Sequence, residues 1–149
     1  MPSRRHALAV ALALLALTAC TQIYFKDFAV DPQDRAYTAN AQFKDIRSYL
    51  VARGLRIVTE SEGFIAVDLE TEAGGAGRSA PSDNLQVRVI ANQVELTLVR
   101  RSAGADFSAE QVKVFQQALE RRLRESSGQV VSVRLVGERV SPLSNVRFQ

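Results

Sequence analysis

The chain has 149 residues, with 19 Lys and Arg against 16 Asp and Glu, giving a net charge of +3. Its one histidine and one cysteine both fall within the first 20 residues, and it has no tryptophan. Residues 21–149 therefore cannot supply a His/Cys zinc site, a Ser-His-Asp or Cys-His nucleophile, or an internal disulfide, and neither metal, cofactor nor enzymatic activity is expected.

The front end carries an address. Arg4, Arg5 and His6 form a positive start, and Ala7 to Leu17 is an unbroken apolar run. A spanning helix needs roughly 20 apolar residues. This run is far shorter and reads as an export signal. It closes on Leu17-Thr18-Ala19-Cys20, which resembles the lipobox of bacterial lipoproteins. The resemblance covers the first twenty residues alone. It implies cleavage between Ala19 and Cys20, lipidation of the Cys20 sulfur and attachment to a membrane by acyl chains. Thr21 stands where an inner-membrane retention signal would have Asp. That implies the outer membrane, with the domain facing the periplasm and the inner membrane as the alternative. Ser3 to Leu8 partly matches the twin-arginine export pattern, with Ala7 in place of the usual Phe; the general export route is the expectation. Loss of Arg4 and Arg5 brings the charge to about +1 over about 130 residues, enough for one domain with its own core. No basic stripe with stacking aromatics accompanies this balance, so no nucleic-acid partner is expected.

Gln22 to Val30 follows the anchor with no polar tether. Tyr24, Phe25 and Phe28 suit either a first strand or contact with a membrane interface, and the strand is the expectation. Asp31-Pro32-Gln33-Asp34 has the form of a helix start, with Thr38 as a later alternative cap. Ala39, Phe43, Ile46 and Leu50 recur at helical spacing, Tyr49 flanks them, and Gly54 ends the helix. Four strands are predicted next. Leu55 to Glu60 and Phe64 to Glu70 are joined by Ser61-Glu62-Gly63. Asn84 to Ile90 turns through Ala91-Asn92 into a strand with Val94, Leu96 and Leu98 inward and Glu95 and Thr97 outward. Ser108 and Gln111 spell a capping box flanked by Phe107 and Val112. Val112, Phe115, Leu119 and Leu123 make the buried stripe of the second helix, Glu120 and Arg124 are spaced for an ion pair, and Gly128 stops it. Gln129 to Val136 is the last strand, and 138–149 reads as a tail whose Leu143, Val146 and Phe148 could pack on the domain or a partner.

The fold expected is α+β: an antiparallel sheet of about four to five strands with two amphipathic helices on one face, forming one domain over 20–137. Two β-α-β halves of a ferredoxin-like fold with an inserted hairpin would use the same elements.

Few motifs survive scrutiny. Gly75-Ala76-Gly77-Arg78-Ser79-Ala80 fits the dinucleotide pattern in letters, but a strand follows it where the phosphate site needs a helix. The glycine-rich stretch 71–83 reads as a loop. Asp68, Glu70 and Glu72 could bind calcium or act as a carboxylate pair, yet a solvated strand face accounts for them. Arg121, Arg122 and Arg124 read as a solvated helix end. The functional expectation is a non-enzymatic lipoprotein that docks an envelope protein. In outline it is similar to outer-membrane assembly lipoproteins, including the lipopolysaccharide-assembly lipoprotein, a likeness of architecture alone. An outward Phe64, Ile90 or Val99 would favour docking, and a preformed cleft would favour the alternative, a small-ligand or glycan binder.

Overall fold

A computed structural model describes residues 21–69, 82–102 and 105–142. Strand β1 (Gln22–Pro32) leads to helix α1 (Ala39–Ala52), then β2 (Ile57–Ser61), β3 (Phe64–Asp68), β4 (Ser82–Ile90) and β5 (Gln93–Ser102). Helix α2 (Ala109–Ser127) and strand β6 (Val131–Pro142) complete it. The six strands form one sheet in the order β2-β3-β4-β5-β1-β6, and every paired neighbour is antiparallel. The fold is thus α+β, with six strands rather than four or five. The sixth is β1, the strand expected over Gln22 to Val30, which is a full member of the sheet between β5 and β6. Setting aside the β2–β3 hairpin, the order β4-β5-β1-β6 with one helix after β1 and one after β5 is the ferredoxin-like arrangement of two interlocked β-α-β halves.

The long β1 corrects the expected helix start. Asp31 and Pro32 carry a local capping signal, yet they pair with Ser132 and Val131 as the end of the strand. Thr38 is the cap instead, and its side chain accepts the N–H of Ala41 at 3.3 Å. Pairing with β5 ends at Val30, but pairing with β6 continues through Pro32 and carries the strand past the local capping signal. β6 departs from expectation in the other direction. It runs on through Pro142, opposite Gln22, where a tail was predicted from 138; residues 143–149 lie outside the described ones. A bulge lets it follow β1, since Asp27 faces Gly137 while Phe28 faces Leu135, leaving Val136 as the extra residue.

The core lies between one face of the sheet and the helices. Phe28 and Val30 of β1 join Ile65 and Val67, Leu85 and Val87, Val94, Leu96 and Leu98, and Val131 and Val133. Ile46 and Leu50 of α1 and Val112, Leu119 and Leu123 of α2 cover them. The ring of Phe28 meets that of Phe115 at 5.1 Å between centroids. Helix α2 has the ends its sequence predicts. The Ser108–Gln111 capping box is present in both directions, and Gly128 takes the left-handed conformation (φ 69°) that ends the helix without the Cβ clash other residues would meet. The β4–β5 turn also uses positive φ, at Ala91 as well as at the expected Asn92.

Tyr37 closes the core where α1 meets the end of α2. It is buried and donates its hydroxyl to Asp45 Oδ2 at 2.6 Å. Burial, helped by the hydrogen bond to Asp45, pushes its pKa up to about 12. The folded state therefore keeps a proton that the unfolded chain loses near pH 10, so the stabilisation is complete below pH 10 and is lost as pH rises toward 12. Tyr37→Phe is expected to cost about 1 kcal/mol at neutral pH and to remove this alkaline decline. Urea unfolding at pH 8 and pH 11 measures both.

Candidate functional site

The sheet face turned away from the helices is a lattice of charge. From β1 it receives Ile23, Phe25, Asp27, Ala29 and Asp31, and register brings Val99 and Arg139 beside Phe25. Arg139 binds both oxygens of Asp27 at 3.0 and 3.1 Å and lies 4.6 Å over the Phe25 ring. Thr97 donates to the same carboxylate at 2.8 Å and is buried, although the strand alternation turns it from the core. Arg134 pairs with Asp31 at 3.1 Å, and Arg88 lies over Phe64. Of the outward residues named as docking indicators, Ile90 is 44% exposed, Phe64 is half-buried and Val99 is buried, as are Ile23 and Ala29 on the same face. This face therefore offers paired charges around few apolar atoms.

The two sheet edges differ. All five residues of β2 are exposed, Ile57 and Val58 included. The edge of β6 is covered at its start. Glu120 accepts the N–H of Val133 at 2.8 Å and Gln116 donates to its carbonyl at 2.7 Å, both from α2. Glu120 was expected to pair with Arg124. An edge N–H with no strand partner is the costlier group to leave unsatisfied, and it draws the carboxylate inward. Past Val133 the edge carries the bulged Val136 and then Val140, 51% and 56% exposed.

A buried polar cluster ties the Gln22 end of the sheet to the start of α2. Lys26 is 5% exposed and reaches Asp106 at 2.8 Å and Glu138 at 2.7 Å. Burial opposes its charge, but hydrogen bonds to Asp106 and Glu138 outweigh that and hold its pKa above the ordinary lysine value. Arg100 grips Asp83 through two bonds of 2.9 and 2.8 Å and stacks 4.2 Å over Phe107. Its other terminal nitrogen touches the Asp106 carbonyl and Gln111 Oε1 at 3.3 Å. Both cations are fully engaged, so the cluster binds loop to sheet and leaves neither group free to react. Strand alternation sets Lys26 on the face of Phe28 and Val30 and Arg100 on that of Leu96 and Leu98; a charge at an inward strand position was the signal that could have found them.

The sequence-predicted residues fare unequally. Ala19 and Cys20 lie outside the described residues, as do Glu70, Glu72 and residues 71–81 of the glycine-rich loop. Asp83, at the end of that loop, is the partner of Arg100. Asp68 is held by Arg56, which immediately precedes β2. Arg121, Arg122 and Arg124 are exposed, with Arg122 paired to Glu125 at 3.0 Å. Among the described residues no three His, Cys, Asp or Glu groups gather as a metal site, and no helix is long and apolar enough to cross a membrane.

The opposite end of the sheet has a cavity of about 290 Å³, between the end of β1, the first turn of α1 and the β4–β5 turn. Arg35, Thr38, Gln42, Asp31, Asn92 and Gln93 supply its polar lining, over a floor of Val30, Pro32 and Ala39. No protein-family model matches the chain, and no curated protein matches its sequence.

Proposed function

We propose that this protein is a lipid-anchored envelope lipoprotein of the outer membrane, facing the periplasm, that acts without catalysis as a docking or assembly factor for an envelope protein complex. The observation that carries the reading is the join between Cys20 and the sheet. β1 begins at Gln22 and is paired on both sides from that residue, so lipid on Cys20 would hold the sheet itself at the bilayer. β1 rises about 3.3 Å per residue, which sets the β4–β5 turn roughly 33 Å further out. The edge of β6 beyond Val133 and all of β2 stand between these ends as backbone that an extended partner segment could pair with.

Two measurements test this. Cys20→Ser is expected to abolish incorporation of labelled palmitate and to move the protein from the membrane to the soluble fraction. Retention of label by the variant would overturn the anchor. A photo-crosslinker at Val140 on the β6 edge is then expected to capture one envelope protein that a crosslinker at Val114, exposed on α2, does not. Equal capture, or none, at the two positions would remove the docking reading. The cavity beside α1 favours a second reading, a ligand-binding lipoprotein.

A further inference from the structure

The geometry points to the open stretch of the β6 edge, Glu138 to Val140, as the seat of one extended partner strand that carries an apolar, an acidic and a basic residue in succession. The inference rests on the docking reading of this edge and names the chemistry of the partner. Antiparallel strands turn the backbone N–H and C=O of alternate residues toward each neighbour. At Val133 both groups turn away from β1, since α2 takes them. The bulge at Val136 shifts that alternation by one residue. Beyond it Glu138 and Val140 carry the outward groups, and among the described residues nothing bonds to them. Exposed edges are usually covered or blunted. Here α2 covers the edge as far as Val133 and leaves it open where β6 lies beside Lys26 and Tyr24, close to Gln22.

The side chains beside these groups set the partner's sequence, because residues directly opposite in an antiparallel pair share a face and interact. On the helix face Val140 is exposed, and Glu138 gives Oε1 to Lys26, which leaves Oε2. On the open face Arg139 gives Nε and Nη2 to Asp27, which leaves Nη1 to a second carboxylate. The incoming strand therefore sets an apolar residue opposite Val140, an acidic one opposite Arg139 and a basic one opposite Glu138. It runs antiparallel to β6 and so outward from the Gln22 end, as β1 does. A second copy of this chain does not fit. Two β6 edges paired here are related by a two-fold axis near Gln22, which turns the second sheet end for end and drives it into the bilayer that holds the first.

The test is an amide-resolved NMR titration of the full chain in detergent micelles with acetyl-Thr-Val-Asp-Lys-Thr-amide, against the same peptide with Asp and Lys exchanged. The first is expected to shift the amides of Glu138 and Val140. The second is expected to bind at least about fivefold more weakly, because both cross-strand charge pairs turn to repulsion. Val140→Pro removes an N–H that faces solvent. It is expected to keep the parent melting midpoint and lose the peptide, whereas Ser141→Pro removes an N–H turned to β1 and is expected to lower the midpoint. Equal binding of the two peptides, no shift with either, or undiminished binding to Val140→Pro would overturn this partner chemistry, while capture by the crosslinker at Val140 decides the docking reading separately. Protection of the Glu138 and Val140 amides from solvent exchange before peptide is added would also overturn it. The edge would then be filled already, by a second copy if protection falls on dilution and by the chain itself if it does not.

Discussion

Replacing Phe28 with alanine is expected to destabilise the protein by about 3–5 kcal/mol, the range for a large aromatic removed from a closed core. Phe28 is fully buried at the centre of β1, against Phe115 and between Leu96 and Leu135. Every neighbour belongs to a different element, so the hole cannot be filled by moving one side chain. The control is Phe25→Ala on the other face, three residues away. Phe25 is half-buried beneath Arg139, and its loss is expected to cost about 1 kcal/mol, most of it the cation–π contact and some buried area. Urea unfolding of both variants separates two uses of this aromatic segment. A core strand makes Phe28 far costlier than Phe25. A segment serving a membrane interface would leave both midpoints near the parent and weaken binding to vesicles instead.

That contrast marks where the sequence is informative about this fold. Helix α2 was legible because its signals are local: Ser108 with Gln111, Phe107 with Val112, and Gly128 all act within a few residues of each other. The strands β3, β4 and β5 were legible because apolar residues recur at every second position along each, Ile65 and Val67, Leu85 and Val87, and Val94, Leu96 and Leu98. β1 could be recognised as extended but not placed, since its partners lie some 70 and 110 residues away and nothing in Gln22–Pro32 names them. Asp31-Pro32 misled for the same reason, as a local cap signal outbid by distant pairing. Glu120 and the stretch 138–142 follow suit. Each reads as solvated in isolation and is drawn in by the far edge of β1 and β6. The buried polar groups were the least legible. Gln42 occupies one position of the α1 stripe beside Phe43, and nothing in its neighbours says it will be enclosed. For Cys20 there is only the sequence, in the Leu17-Thr18-Ala19-Cys20 box that resembles a lipobox.

The second large effect is expected at Arg100. Arg100→Met should cost about 2–3 kcal/mol, below the roughly 3–5 kcal/mol of a fully buried pair, because the Asp83 side chain is already 20% exposed to water with its partner in place. Three connections would be lost together: the bidentate grip on Asp83 at the start of β4, the stack on Phe107, and the contacts to Asp106 and Gln111 that seat the loop before α2. Arg100→Lys keeps the charge but has neither the planar fork nor the stacking surface, and is expected to recover less than half of the loss. Asp83→Asn alone should be nearly as harmful as Arg100→Met, because it leaves a 9% exposed guanidinium with a poorer acceptor. The double variant should then cost clearly less than the two together, a coupling of about 1–2 kcal/mol in a thermodynamic cycle. Additive losses would mean that Arg100 acts through Phe107 and the loop carbonyl, with Asp83 a bystander. Lys26 supplies the internal comparison. Its partners Asp106 and Glu138 are 37% and 59% exposed and can rehydrate when it is removed, so Lys26→Met should cost less than Arg100→Met. The order of these two substitutions follows from the exposure of the carboxylates they abandon, not from the burial of the cations, which is nearly the same.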